Sequence, residues 1–170
     1  MRSTVTILGM VLVAGFLTVP GAFGADEADN PSLARALQSA KVRLERGLTA
    51  SASEGTPISA KYEIDNGTFQ LSVYTMKGDA FAEVIVDHTT GKVAKVDVIT
   101  DGGDLAAAQR QKEAMVKAKR SLQAATADAV KKNKGYRAVS AMPSLKEGHP
   151  VAEVTLVKGG EWRTVSEALH

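Results

Sequence analysis

The acidic side chains are the first place to look for chemistry in this chain. Asp97, Asp101 and Asp104 lie close together, and Asp65, Asp79 and Asp87 fall in turn-like sequence. Oxygen-rich turns can hold hard cations such as Ca²⁺. A hard-metal site on Asp97, Asp101 and Asp104, for Ca²⁺ or a lanthanide-like trivalent ion, is therefore one reading. Against it, no stretch has the Asp-x-Asp-x-Asp-Gly-x5-Glu spacing, and Lys77, Lys92 and Lys95 lie nearby. Turn-forming acids on a solvated surface are the plainer reading. The histidines are His88, His149 and His170, and none has a spacing that pairs it with another as a metal ligand. No serine sits in a Gly-x-Ser-x-Gly elbow, and Gly102-Gly103 reads as a hinge rather than a phosphate loop. Cysteine is absent, which excludes disulfides, thiol nucleophiles and thiolate metal sites. The expectation is a non-enzymatic protein with no catalytic residues and no cofactor.

Composition narrows the partner class. Lys and Arg total 21 against 19 Asp and Glu, a net charge of +2, without the basic excess of a nucleic-acid binder. Charged residues are 24% and hydrophobic ones 44%, as expected of a folded chain. Residues 1–24 read as a signal peptide. Arg2 precedes the apolar stretch Val5 to Val19, and Ala22-Phe23-Gly24 offers small residues for cleavage before Ala25. The apolar run is broken by Pro20 and is shorter than the ~20 residues that span a bilayer. The expected location is periplasmic or secreted, with no stable membrane span after cleavage.

Those residues must be held by ordered elements. Residues 25–32 form a polar lead. Asn30-Pro31 is a helix start, since Asn caps and Pro suits the first turn. Leu33, Leu37, Ala40, Leu44 and Leu48 then share one helical face, with Arg35, Lys41, Arg43 and Glu45 mostly elsewhere. From Ile58 the period becomes two. Asp65-Asn66-Gly67, Lys77-Gly78-Asp79 and Asp87 to Gly91 separate four strands, the last from Val93 to Ile99. Leu105 to Lys132 has neither Gly nor Pro and reads as one helix of about 28 residues, with a break near Arg120-Ser121 as the alternative. Its cations read as a solvated face. Strands Tyr136 to Met142, Val151 to Val157 and Glu161 to Ala168 follow. The expected core is Leu33, Leu37, Leu44, Phe69, Leu71, Val73, Phe81 and Val84, then Leu122, Val154, Leu156 and Trp162.

The halves overlay. Gly67 falls on Gly148, Val73 on Val154 and Phe81 on Trp162 at an offset of 81, while Ser32-Leu33, Ala36 and Ala40 fall on Ser121-Leu122, Ala125 and Ala129 at 89. The expected fold class is α+β: two tandem helix-plus-antiparallel-strand units, residues 33–103 and 104–170, the second shorter and dependent on the first. The segment Gly67 to Tyr74, then Gly78, then Phe81 to Val93 with its Val-Asp-His-Thr-Thr-Gly-Lys-Val ending, resembles the PepSY family. In the turn itself, Asp87 is expected to accept backbone N–H groups and Gly91 to take a left-handed conformation. The resemblance implies a periplasmic binding or regulatory module, restraining a peptidase or another exported or cell-envelope partner. The rival function is periplasmic hard-metal binding through the turn carboxylates.

Overall fold

In the computed structural model of the protein, residues 30–170 are described. The leader, the cleavage before Ala25 and most of the polar lead lie outside the described residues. The alternating segments all enter one sheet. Strands β1 (Thr56–Asp65), β2 (Thr68–Lys77), β3 (Ala80–Val86), β4 (Val93–Ile99), β5 (Arg137–Lys146), β6 (His149–Lys158) and β7 (Glu161–Ala168) lie in the order β4-β3-β2-β1-β5-β6-β7. Every neighbouring pair is antiparallel. Tight turns explain the hairpins. Asn66-Gly67 and Glu147-Gly148 both hold consecutive positive φ values, 47° and 78° in the first, 53° and 82° in the second. That conformation matches the twist of the flanking strands.

This overturns the expectation of two tandem helix-plus-strand units. Strands from both halves form a single seven-stranded sheet, joined where Ala60 pairs with Ala141 and Lys61 with Ser140. The offset of 81 is a relation of register within that sheet: the bulges fall at Ile58 in β1 and Val139 in β5. The seam is short for a physical reason. On one side it stops at Ala141, just before Pro143, which has no N–H to give to a neighbouring strand; on the other it stops at Ser140, beside the bulge at Val139.

The helices also depart from the simple reading. The expected first helix is α1 (Pro31–Ala36), a 3₁₀ turn Leu37–Ser39, a break, and α2 (Leu44–Ser51). The long helix is α3 (Gly102–Met115) and α4 (Leu122–Lys132), so the broken alternative holds, with the interruption spanning residues 116–121. Backbone groups at both breaks find partners across the fold. The His88 carbonyl accepts from Lys41 N and Val42 N, each at 2.9 Å, and the Leu169 carbonyl accepts from Lys119 N and Arg120 N at 2.6 and 3.1 Å. A periodicity argument reads through such breaks because it counts side chains and not the tertiary acceptors that replace helical hydrogen bonds. The offset of 89 also gives way. Buried Leu44, Gly47, Leu48 and Ser51 of α2 correspond in spacing to buried Leu122, Ala125, Thr126 and Ala129 of α4.

Helices α2 and α4 touch each other and cover one sheet face. Helix α3 lies on the other, where Ser59 meets Gln111 at 2.9 Å and Lys112 meets Asp79 at 2.5 Å. The core holds Tyr62, Leu44, Leu48, Leu71, Val73, Val84, Leu122, Val154 and Leu156 between sheet and helices. Phe69 and Trp162, expected inside, are only partly buried. Gly47 allows the closest approach: a Cβ there would stand 2.6 Å from Leu71 Cδ2.

Candidate functional site

The three acids singled out in the sequence do not gather. Asp97 is on β4, pairs with Lys95 at 2.6 Å and stands in register with Glu83. Asp101 precedes α3 and is exposed, its side chain capping nothing. Asp104, in the first turn of α3, accepts the Tyr74 hydroxyl at 2.8 Å. Asp65 takes the Asn66 amide, and Asp79 takes Lys112. Among the described residues no three of His, Cys, Asp or Glu are placed to hold a metal ion. The carboxylates near Tyr74 nevertheless leave an electrostatic mark. Burial, then the Asp104 hydrogen bond and the nearby Glu83 and Glu63, push the Tyr74 hydroxyl well above its ordinary value. Burial likewise raises Glu83, opposed by the hydrogen bond from Ser72.

The Asp87 turn behaves as its residues require. Asp87 Oδ1 accepts from Thr89 N and Thr90 N, both at 2.8 Å, and Gly91 sits at φ 75°. These backbone donors, Thr90 first, hold the carboxyl below the usual range. The turn also presents the His88 carbonyl to the break before α2 and lays the His88 ring 4.8 Å from Phe69.

That break is pinned from two further sides. The Tyr62 hydroxyl donates to the Val42 carbonyl. Arg137, the first residue of β5, donates to the carbonyls of Leu37 (2.9 Å), Ala40 (3.3 Å) and Val42 (3.1 Å), and its guanidinium lies 5.5 Å from the Tyr62 ring centroid. Burial raises the Tyr62 hydroxyl, and Arg137 opposes that rise. Among the described residues, three side-chain atoms around this break are buried without a partner: Glu45 Oε2, His88 Nδ1 and Arg137 Nε.

Above this anchor runs an open groove of about 1100 Å³ between the α1 segment and the tip of the β6–β7 hairpin. Arg35, Lys41 and Arg43 line one wall, and Lys158, Tyr136 and Trp162 the other, with Glu45 the one carboxylate lining it among the described residues. Among the described residues, none of Arg35, Lys41 or Arg43 lies within ion-pair distance of a carboxylate. The far wall carries contacts of its own. Arg163 lies 4.3 Å over the Tyr136 ring, and Glu161 is kept below its ordinary value by the Tyr136 hydroxyl and by Arg163 at 2.9 Å. The site therefore joins cations without carboxylate partners among the described residues, two aromatic rings and a helix break anchored by hydrogen bonds. Sequence reasoning missed it because Arg35, Lys41 and Arg43 have the pattern of a solvated helix face. Only the sheet order brings Arg137 and Lys158 to them.

No family profile matches the chain, and no curated protein matches it. Among solved structures, it resembles a provisionally assigned lipoprotein of Clostridium difficile 630, with 15% identity over 70% of this chain and 78% of that one, at a TM-score of 0.40. An overlap that loose does not define a common fold. No helix among the described residues is long and apolar enough to cross a membrane.

Proposed function

We propose that the protein is a non-catalytic exported binding module whose groove receives an extended, acidic segment of another exported or cell-envelope protein. One observation carries this reading: Arg35, Lys41 and Arg43 face Tyr136 and Trp162 across a groove and lack carboxylate partners among the described residues. The groove is slightly larger than the ~300–1,000 Å³ of small-molecule pockets and is open to solvent, which suits a chain segment better than an enclosed ligand. Cations on one wall would steer and orient acidic side chains, while the aromatic wall supplies the buried contact that dominates interface energy. The leader sequence and the PepSY-like turn support placing this module outside the cytoplasm, and restraint of a peptidase is one form such binding would take.

Trp162 is the sole tryptophan and lines the groove, so its fluorescence reports occupancy directly. Titration with a synthetic peptide of alternating Asp and Leu should give a saturable change that weakens as salt is raised. The Lys–Leu counterpart should give none. The triple substitution Arg35→Glu, Lys41→Glu, Arg43→Glu should abolish the response to the acidic peptide. Equal responses to both peptides, or no response to either, would end this reading.

A further inference from the structure

The outer strand β4 carries a second surface, independent of the groove. Among the described residues it is the end strand of the sheet, paired on one side only, with β3. Edge strands are normally blunted by proline, by an isolated charge, by a β-bulge or by a covering segment. Val93–Ile99 contains no proline, its bulge at Ala94 leaves Lys95 to Ile99 in regular register with β3, and its lysine is neutralised on the same face, with Lys95 paired to Asp97. On the opposite face, Val96 and Val98 are 42% and 70% exposed. An exposed apolar pair beside unpaired backbone groups invites another strand.

The charges state which strand. When two copies of one strand meet antiparallel about a two-fold axis normal to the sheet, residues directly opposite each other share a face. Only certain registers are then open. Centring on Lys95 sets Lys95 against its own copy, and centring on Asp97 does the same for the acid. Like charges directly opposite are destabilising. Centring on Val96 sets Lys95 against the second copy's Asp97 and Asp97 against its Lys95. It also joins Val96 to Val96, with Val98 of each copy on the same apolar face. Of these three registers it is the one that is complementary in both charge and hydrophobicity.

From this self-complementarity we infer that β4 pairs with β4 of a second copy of this chain, centred on Val96, joining two seven-stranded sheets edge to edge. The contact is confined to one strand per copy, well short of the roughly 800 Å² per partner of a standard interface. The dimer is therefore weak and forms with rising concentration. The Val96-centred register also makes an unusual demand on charge variants. Asp97→Lys places lysine opposite lysine, and Lys95→Asp places aspartate opposite aspartate, so each variant alone should repel itself. Mixed together they should pair, because every lysine of one then faces an aspartate of the other.

Sedimentation equilibrium from micromolar to millimolar protein tests this. The unsubstituted protein should show reversible dimerisation. Each single variant should associate at least about tenfold more weakly, given two reversed pairs per dimer. An equimolar mixture should recover association, as should the chain carrying both Lys95→Asp and Asp97→Lys. Both positions are exposed, and circular dichroism on each variant confirms that the sheet is intact. Recovery in the mixture also shows that the single variants are folded. A protein that stays monomeric to millimolar concentration would overturn the inference, leaving the edge to a different partner. A dimer insensitive to Asp97→Lys, or variants that fail to associate when mixed, would overturn it equally.

Discussion

Replacing Arg137 with methionine isolates the contact that ties the second half of the chain to the helix break of the first. Methionine fills much of the same space but offers no donor. The guanidinium donates to three carbonyls, and two of these keep another partner: Leu37 accepts Ala40 N at 3.2 Å, and Val42 accepts the Tyr62 hydroxyl. The Ala40 carbonyl relies on the guanidinium. A hydrogen bond to a charged group contributes about 1.5–3 kcal/mol. With two acceptors still partnered and the residue half-buried, the loss should total about 3 kcal/mol rather than three full bonds. In a chain of this size each kcal/mol lowers the midpoint by about 2–4 °C, so Arg137→Met should melt about 6–12 °C lower. Arg137→Lys should recover less than half of that, since an ammonium cannot reach three carbonyls with one planar fork. Thermal melts followed by circular dichroism and Trp162 fluorescence measure both. Amide exchange at Lys41 and Val42 should accelerate in the methionine variant, because the break loses one of its anchors. A loss below about 0.5 kcal/mol for Arg137→Met would show that the break is held by the Asp87 turn and Tyr62 without help from β5.

Two further outcomes follow from close contacts and titration. Gly47→Ala brings a Cβ to within 2.6 Å of Leu71 Cδ2, so urea denaturation should show a loss of about 1–3 kcal/mol, part of it restored by trimming Leu71 to valine. Asp87 has its carboxyl pKa held down in the folded protein, so the stability it contributes is present above the ordinary aspartate range, near pH 4, and fades as pH falls through the lower folded value. Asp87→Asn should therefore cost stability at neutral pH and flatten the acid limb of the stability curve; an unchanged acid limb would mean that the turn's amide bonds do not distinguish the ionised acid.

Much of the fold was legible where local chemistry decides it. Asn66-Gly67 can hardly avoid a tight hairpin, and the alternation from Ile58 to Ile99 assigns strands within a residue or two. The Asp87–Gly91 turn follows from one short side chain and one glycine. What escaped depends on partners far along the chain. The break at Ala40 to Arg43 is invisible to a period count because its groups are taken up by His88, Tyr62 and Arg137. The single sheet escaped because β1 and β5 meet through so few residues, none of which carries a distinctive pairing signal. The groove shared that fate: its cations looked like ordinary solvated side chains until Arg137 and Lys158 stood opposite them. The turn acids were found readily, yet their positions on β4, before α3 and within it keep them apart.

The short seam also has a consequence for how the molecule assembles. Each hairpin closes a loop of a few residues, whereas pairing Ala60 with Ala141 closes one of about eighty. Loop-closure entropy rises with length, and non-local pairing is slow. The strand stacks β1–β4 and β5–β7 can therefore form before they meet. Until they do, the chain carries the open edges of β1 and β5 in addition to those at β4 and β7. Such unpaired edges, in partly folded chains at high concentration, are where intermolecular association starts. Those edges carry Ile58 and Tyr62 on β1 and Val139 on β5, all fully buried once the sheet is joined, so the slowest contact to form also hides the most adhesive of the transient edges.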